Sequence, residues 1–412
     1  MKTLKYCLSA FILTLAFPSM IKATDLVVAA GGAGGAYASI NAALAAAAPN
    51  DRIIVYPQAG GGAYSDTNIR ITKSIQILSA NEGAYYAVDA PVINITPSTA
   101  GINVTIIGMK LLTGSIFSTI ASPTGSRSTI NLLNDSLSDG LISINHDNYD
   151  LTLASSHVQA GLTFRFGKAI GNIIRSAVTI NSDASVNNPL DTVLVIGNKV
   201  FGYTASNYSG IYWNSTTHFF AIQNNFISLT YYLNGYGTGI FIATSKNSTA
   251  GINMINNNTV YKASTALSYG IYFTGAASSY TEILNNLIAS SASYAVYVTT
   301  GNVSVHYNYF TSASLLGFTN DGTNITATNV TLNAEGLNTN PLSNTINGGT
   351  TDSAFADIDL TRNDVGCYGG SFTLNNFFPI TSNDWARVIL VTAPRRLLVN
   401  GTIHVKAIGF DK

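Results

Sequence analysis

The sequence predicts an all-β chain: a right-handed single-stranded parallel β-helix of about ten or eleven coils, with an N-terminal capping helix and a short C-terminal β extension. Three observations predict it. A phrase of the form apolar-x-x-Asn-x-apolar returns at intervals of 20 to 33 residues, a second phrase returns in step with it, and the composition supplies a core without staples. Hydrophobic residues make up 46% of the chain and charged residues only 10%, so a large core is available and solubility must rest on hydroxyls and amides.

In chain order, Lys2 and Lys5 give a basic start and residues 6–17 an apolar run too short to cross a bilayer as a helix. Small and polar residues follow to Ala23, so residues 1–23 read as a secretory signal and the mature chain is expected outside the cell, secreted or on the outer surface. No later segment has 18 uninterrupted apolar residues, so the mature chain is expected to have no transmembrane segment. The whole chain has 20 basic and 20 acidic residues; without Lys2, Lys5 and Lys22 the balance is 17 against 20, which excludes the clustered positive charge that nucleic acid requires. Cys7 falls in the signal. Cys367 is then alone, cannot form an intramolecular disulfide, and is expected as a small buried apolar residue.

Residues 24–375 are assigned to the β-helix. Residues 39–48 form an Ala-rich amphipathic helix with Ile40 and Leu44 on one face, suited to covering the open end of a core. DRIIVYP (51–57) reads as the first strand. The repeat follows as IIGMKL (106–111), LLNDSL (132–137), LASSHV (153–158), IIRSAV (173–178), VIGNKV (195–200), IQNNFI (222–227), INNNTV (255–260), ILNNLI (283–288) and VHYNYF (305–310). Residues three before and two after the fourth position are apolar in every copy, which places one on an inner strand face and the other across a tight turn. In the last five copies the fourth position is Asn198, Asn225, Asn258, Asn286 and Asn308. Stacked amides at such a turn can donate and accept along a ladder, and Asn tolerates a left-handed backbone.

The second phrase is SGIYW (209–213), TGIFI (238–242), YGIYF (269–273) and YAVYV (294–298). With Ile211, Ile240, Ile271 and Val296 inward, Tyr212, Phe241, Tyr272 and Tyr297 form an outward aromatic column, the best candidate for stacking on sugar rings. The repeat fades after about residue 335. Residues 376–412 contain two strands, RVILVTA (387–393) and TIHVKAIGF (402–410), expected as a small appendage.

Two segments carry a family resemblance. GGAYASINAALAAAAPNDRIIVYPQAGG…NIRITKSIQILSANEG resembles the start of secreted bacterial β-helix proteins of the pectin-lyase-like superfamily. DIDLTRNDVGCYGG (357–370) resembles the phrase DxDGxxRNDxGAYGG that closes such modules, with Leu360 and Cys367 departing from it. The tail resembles a terminal extension in related proteins of Bacteroidetes-type bacteria. The resemblance implies the fold and leaves the activity open, because the superfamily includes lyases, hydrolases, esterases, adhesins and inert binders.

Glycosidases need two carboxylates, and between Asp191 and Asp321 the only acid is Glu282. A lyase needs a Lys or Arg to take the proton, and neither lies between Lys262 and Arg362. Chemistry on a sugar chain is therefore expected only in residues 127–199. There HDNYD (146–150) offers Asp147 and Asp150, and His157, Arg175 and Lys199 lie beside the turn on successive coils where they could share a face. Asp357, Asp359, Asn363 and Asp364 hold enough oxygen for Ca²⁺, against the reading that they cap the backbone of a closing turn. His218, His306 and His404 stand apart from other chemistry and are expected to be packed or solvated. The leading expectation is a secreted or cell-surface protein that binds polysaccharide or a cell-surface glycan, or adheres, without catalysis. The alternatives are a polysaccharide lyase or glycoside hydrolase working from residues 127–199, and a purely structural surface solenoid.

Overall fold

The computed structural model describes residues 23–81, 83–185, 188–202, 209–229, 237–262, 267–380, 387–393 and 405–410, so residues 1–22 of the expected signal and His404 lie outside it. The chain winds into the expected right-handed parallel β-helix. Its first sheet has 12 parallel strands in chain order, from Asp25–Val28 to Asn302–His306, at least one coil more than expected. The remaining strands form the other faces and merge into one sheet where long strands such as Met109–Ser118 and Leu287–Thr300 turn a corner.

DRIIVYP is not the first strand. Asp25–Val28 precedes it and pairs with Arg52–Val55 in parallel register. Four residues followed by a Gly-rich stretch are too short to show a period, which is why this strand was not legible. Between the two strands sits the cap helix, Ile40–Ala46, shorter than expected because Ala47 is already extended. The Ser39 hydroxyl accepts the Ala42 N–H, and Asp66 accepts those of Ile40 and Asn41, which satisfies three donors a helix start leaves open. Ile40, Ala43 and Leu44 are buried against the core.

The residue three before the repeat position forms a continuous inward stack. Ile53, Ile77, Ile106, Leu132, Leu153, Ala169, Val195, Ile222, Ile255, Ile283 and Val305 are in register and buried. Beside it runs the amide ladder. From Asn172 to Asn308, each ladder residue donates its Nδ2 to the Oδ1 of the next at 2.8–3.0 Å, and the same Oδ1 accepts the backbone N–H below at 2.9–3.1 Å. The second Nδ2 hydrogen goes to a carbonyl of the preceding coil, as from Asn258 to Ile222 at 2.8 Å. Donors and acceptors are matched in a fully buried site.

Three details differ from expectation. The ladder runs further, through Asp135, Ser156 and Asn172 below and to Asn324 above. In the fourth copy its member is Asn172 rather than Ser176, so the true phrase there is AIGNII and one coil is only 16 residues long. The left-handed residue is the one before the ladder position: Gly108, Asn134, Ser155, Gly171, Gly197, Asn224, Asn257, Asn285 and Tyr307 all have positive φ. The ladder residue itself does not, because its amide must point inward.

Beyond Asn324 the chain doubles back as a strap down this corner. Asn285 Oδ1 accepts the Thr350 N–H at 2.9 Å. Asn257 Nδ2 donates to Asn363 Oδ1 and to the Asp364 and Gly366 carbonyls at 2.9–3.3 Å, and Asn224 Nδ2 donates to the Cys367 and Gly369 carbonyls. Lower still, the Phe377 ring lies on Gly197 and Gly171. The terminal strands Arg387–Thr392 and Lys406–Phe410 pair antiparallel. Ile389 and Leu390 then join Phe377 over the outward column Leu78, Ile107, Leu133, Ala154, Ile170 and Ile196. The C-terminal extension is thus packed on the solenoid, at about 1.5–3 kcal/mol for each large side chain fully buried.

Candidate functional site

Much of the charged zone of residues 127–199 is held in ion pairs, while Asp139 and Arg175 are exposed without one among the described residues. Asp147 takes the Arg165 guanidinium and the Ala184 N–H, on the side of the third strand face, which runs through Ile142–Ile144, Leu162–Phe164, Val178–Asn181 and Ser209–Asn214. Asp150 faces Lys168 Nζ at 3.9 Å on the first sheet, and burial raises its pKa against the pull of Lys168 and Arg127. The two carboxylates face different cations and do not converge on one site. His157 and Lys199 do share a column, with Ile173 between them, and burial, followed by the nearby Arg175 charge, lowers the His157 pKa. The Arg175 guanidinium sits 5.5 Å over Phe201. Lys199 is buried, ion-paired with Glu335 of the strap and 4.1 Å over the Phe378 ring. A base held in this way is not open to a substrate.

The oxygens of the closing segment are turned to the backbone. Asp357 accepts the N–H groups of Asp364 and Gly370, Asp364 that of Asn347, and Asp359 that of Thr361. Asn363 Oδ1 takes Asn257 and its Nδ2 the Phe355 carbonyl. This is the capping arrangement. Among the described residues no three His, Cys, Asp or Glu side chains lie grouped to hold an ion. Cys367 is fully buried beside Phe226 and Leu374, and burial pushes its thiol up to about 12.

The four rings of the aromatic column lie on successive coils. Tyr212, Phe241, Tyr272 and Tyr297 are in register on successive coils and half-buried. Their ring centroids are 5.3, 4.8 and 5.2 Å apart, with interplanar angles of 55°, 11° and 5°. Tyr269 and Tyr294, which the sequence reading left out, stack beside them at 4.7 and 5.2 Å from Tyr272 and Tyr297. The stacking is mutual, so neighbours cover the faces of Phe241 and Tyr272. A sugar ring can lie flat only at an end of the stack. At the lower end the only described ring packed on Tyr212 is Phe241, and its register partner below is Thr179.

Below Tyr212 the outward column becomes polar: Thr179, Thr163 and Ser143 follow in register. Alongside lies an open hollow of about 470 Å³ edged by Arg165, Asn181, Asn214 and Thr244. Asn181 Nδ2 donates to Asn145 Oδ1 at 2.9 Å, and Arg165 is fixed by Asp147, so this floor is pre-organised. A second hollow, about 620 Å³, lies on the outer face of the first sheet between Met254, Asn256 and the strap residues Phe355 and Phe372.

The sequence reading named the members of one polar group but not their meeting. Arg127 lies 3.7 Å over Phe166, bonds Asp191 at 2.7 Å and reaches Asp183 at 3.5 Å. His218, fully buried, stands 3.9 Å from Asp183. Burial would raise the Asp183 carboxyl, but His218, Ser185 and Arg127 together bring it down to about 2. The group pins Asp183, Ser185 and Asp191 across earlier coils. The longer step from Asn172 to Asn198 was its only trace in the sequence. His306 is not isolated either, since it touches both Ser304 and Asp321. Among the described residues no helix is long and apolar enough to cross a membrane. Comparison of the chain with protein-family models, curated proteins and solved structures finds no match.

Proposed function

We propose that this is a secreted or cell-surface solenoid that binds a polysaccharide along its third strand face, akin to the pectin-lyase-like β-helices that its opening and closing segments resemble. One observation carries the reading. The aromatic stack ends at Tyr212, directly above a pre-organised polar track of Thr179, Thr163, Asn181, Asn214 and Arg165. An apolar ring face followed by hydroxyls and amides at the 4.8 Å coil spacing suits a sugar chain, whose rings are apolar on their faces and polar at their rims. Asp147, Arg165 and Lys199 of the zone 127–199 are engaged by ion-pair partners, which weighs against cleavage of that chain by acid–base chemistry through them.

The test is a glycan array with the purified chain, followed by titration of the best ligand. Tyr212→Ala is expected to weaken binding by about tenfold, or 1.4 kcal/mol. Tyr297→Ala, at the other end of the stack, is expected to leave it within about twofold. Binding indifferent to Tyr212, or no glycan bound above background, would remove the reading.

A further inference from the structure

We propose that Ser304, His306 and Asp321 form an activated-serine site for acyl transfer from a short-chain carboxylic ester, placed on the rim of the last coil. Ser304 and His306 belong to the strand Asn302–His306, the last of the first sheet. Val303 and Val305 pack on the core, so Ser304 and His306 lie side by side on the outer face. The Ser304 hydroxyl meets His306 Nε2, and His306 Nδ1 lies 2.7 Å from Asp321 Oδ2. The order carboxylate, Nδ1, Nε2, hydroxyl is the one in which an imidazole removes a serine proton.

The carboxylate is committed to this task. Its other oxygen, Oδ1, accepts the Thr323 N–H at 2.9 Å and the Thr323 hydroxyl at 2.6 Å, which leaves Oδ2 for the imidazole. Hydrogen bonds from Thr323, opposed by slight desolvation and joined by His306, hold Asp321 down at about 2. It stays ionised, keeps the hydrogen on Nδ1, and turns the Nε2 lone pair to Ser304.

An oxyanion donor is also available. His306 uses its carbonyl to accept the Asn285 N–H of the coil below. Alternation therefore points Val305 the other way, and its carbonyl indeed accepts Asn324 Nδ2 from above. By the same alternation the Val305 N–H points upward too, one residue after the nucleophile, where hydrolases place such a donor. In the reaction Ser304 Oγ bonds to the acyl carbon while its proton passes to Nε2. The bond to the leaving alkoxide breaks, and the alcohol departs with that proton. Water then adds to the acyl carbon, its proton moving through Nε2 to Ser304, and the acid is released. Ser304, His306 and Asp321 line neither hollow described above, and Glu282 lies in register beneath Ser304. A short acyl group fits; a long one has nowhere to lie.

The test uses the full chain, p-nitrophenyl acetate and a fluorophosphonate probe. The expected result is turnover above buffer and one phosphonyl adduct on the Ser304 peptide. Ser304→Ala should abolish both, and Asp321→Asn should slow labelling at least tenfold with circular dichroism unchanged. No adduct, an adduct on other serines, or turnover surviving Ser304→Ala would overturn the proposal. None of these outcomes bears on glycan binding, which uses another face.

Discussion

Two columns of asparagine climb the same corner one residue apart, and they do opposite work. The inner column, Asn225, Asn258 and Asn286 among its members, bonds only to itself and to neighbouring coils. The outer column, Asn224, Asn257 and Asn285, takes the left-handed backbone and reaches outward to the returning strap. One residue type serves both because Asn has a donor and an acceptor on a short stem and tolerates positive φ. The inner column makes coils continuous; the outer column makes the corner a seat for residues more than 100 positions away.

The comparison breaks hardest at Asn258. Asn258→Ala strands the Asn225 N–H and Nδ2 below it, removes the bonds to Asn286 and the Ile222 carbonyl, and cannot admit enough water to replace them. A loss of about 3–5 kcal/mol is expected in urea unfolding. Asn257→Ala, next door, loses bonds only to the strap and should cost about 1–3 kcal/mol. Hydrogen exchange should then quicken in residues 363–370 and leave the solenoid strands protected. If both variants destabilise the core alike, the division of labour is wrong.

Gly197→Ala sharpens the outer column where no side chain exists. At φ +66° an added Cβ would stand 2.2 Å from the Phe377 ring. Backbone strain and a displaced ring should together cost about 1–2 kcal/mol and loosen the tail of the strap. Unchanged stability would mean that Phe377 is not seated there in solution.

The inner column was legible because ladder and core residues recur at fixed offsets, and periodicity is what sequence shows best. It slipped by one phrase at Ser176, where a 16-residue coil is shorter than the circuit assumed. The outer column was hidden because its partners are remote: nothing near Asn257 announces Asn363. The aromatic column was legible in register but not in ring orientation. Alternation fixes which face a side chain takes, whereas mutual stacking is decided by the coil above. Ser304 and His306 could be read as neighbours on one face, but the loop that returns Asp321 to them could not.

The smallest expected effect tests the strap by pH. Burial, only partly offset by the N–H groups of Gly370 and Asp364, raises Asp357 to about 6, and burial raises Asp364 as well. An acid whose pKa is higher when folded holds a proton that the unfolded chain has released between about pH 4 and 6. Its contribution is therefore fully present below about pH 4 and fades as pH rises through 6. The strap should be held more firmly at pH 4.5 than at pH 7, by on the order of 1 kcal/mol because the segment is partly exposed. Asp183 and Asp321, held near 2, titrate below this window and do not mask it. Protease cleavage in the strap should accelerate from pH 4.5 to 7 after correction for the protease's own profile. Asp357→Asn, which keeps one acceptor and cannot ionise, should flatten most of that dependence. A variant as pH-dependent as the parent would move the effect to another group and leave the strap held by the outer asparagines alone.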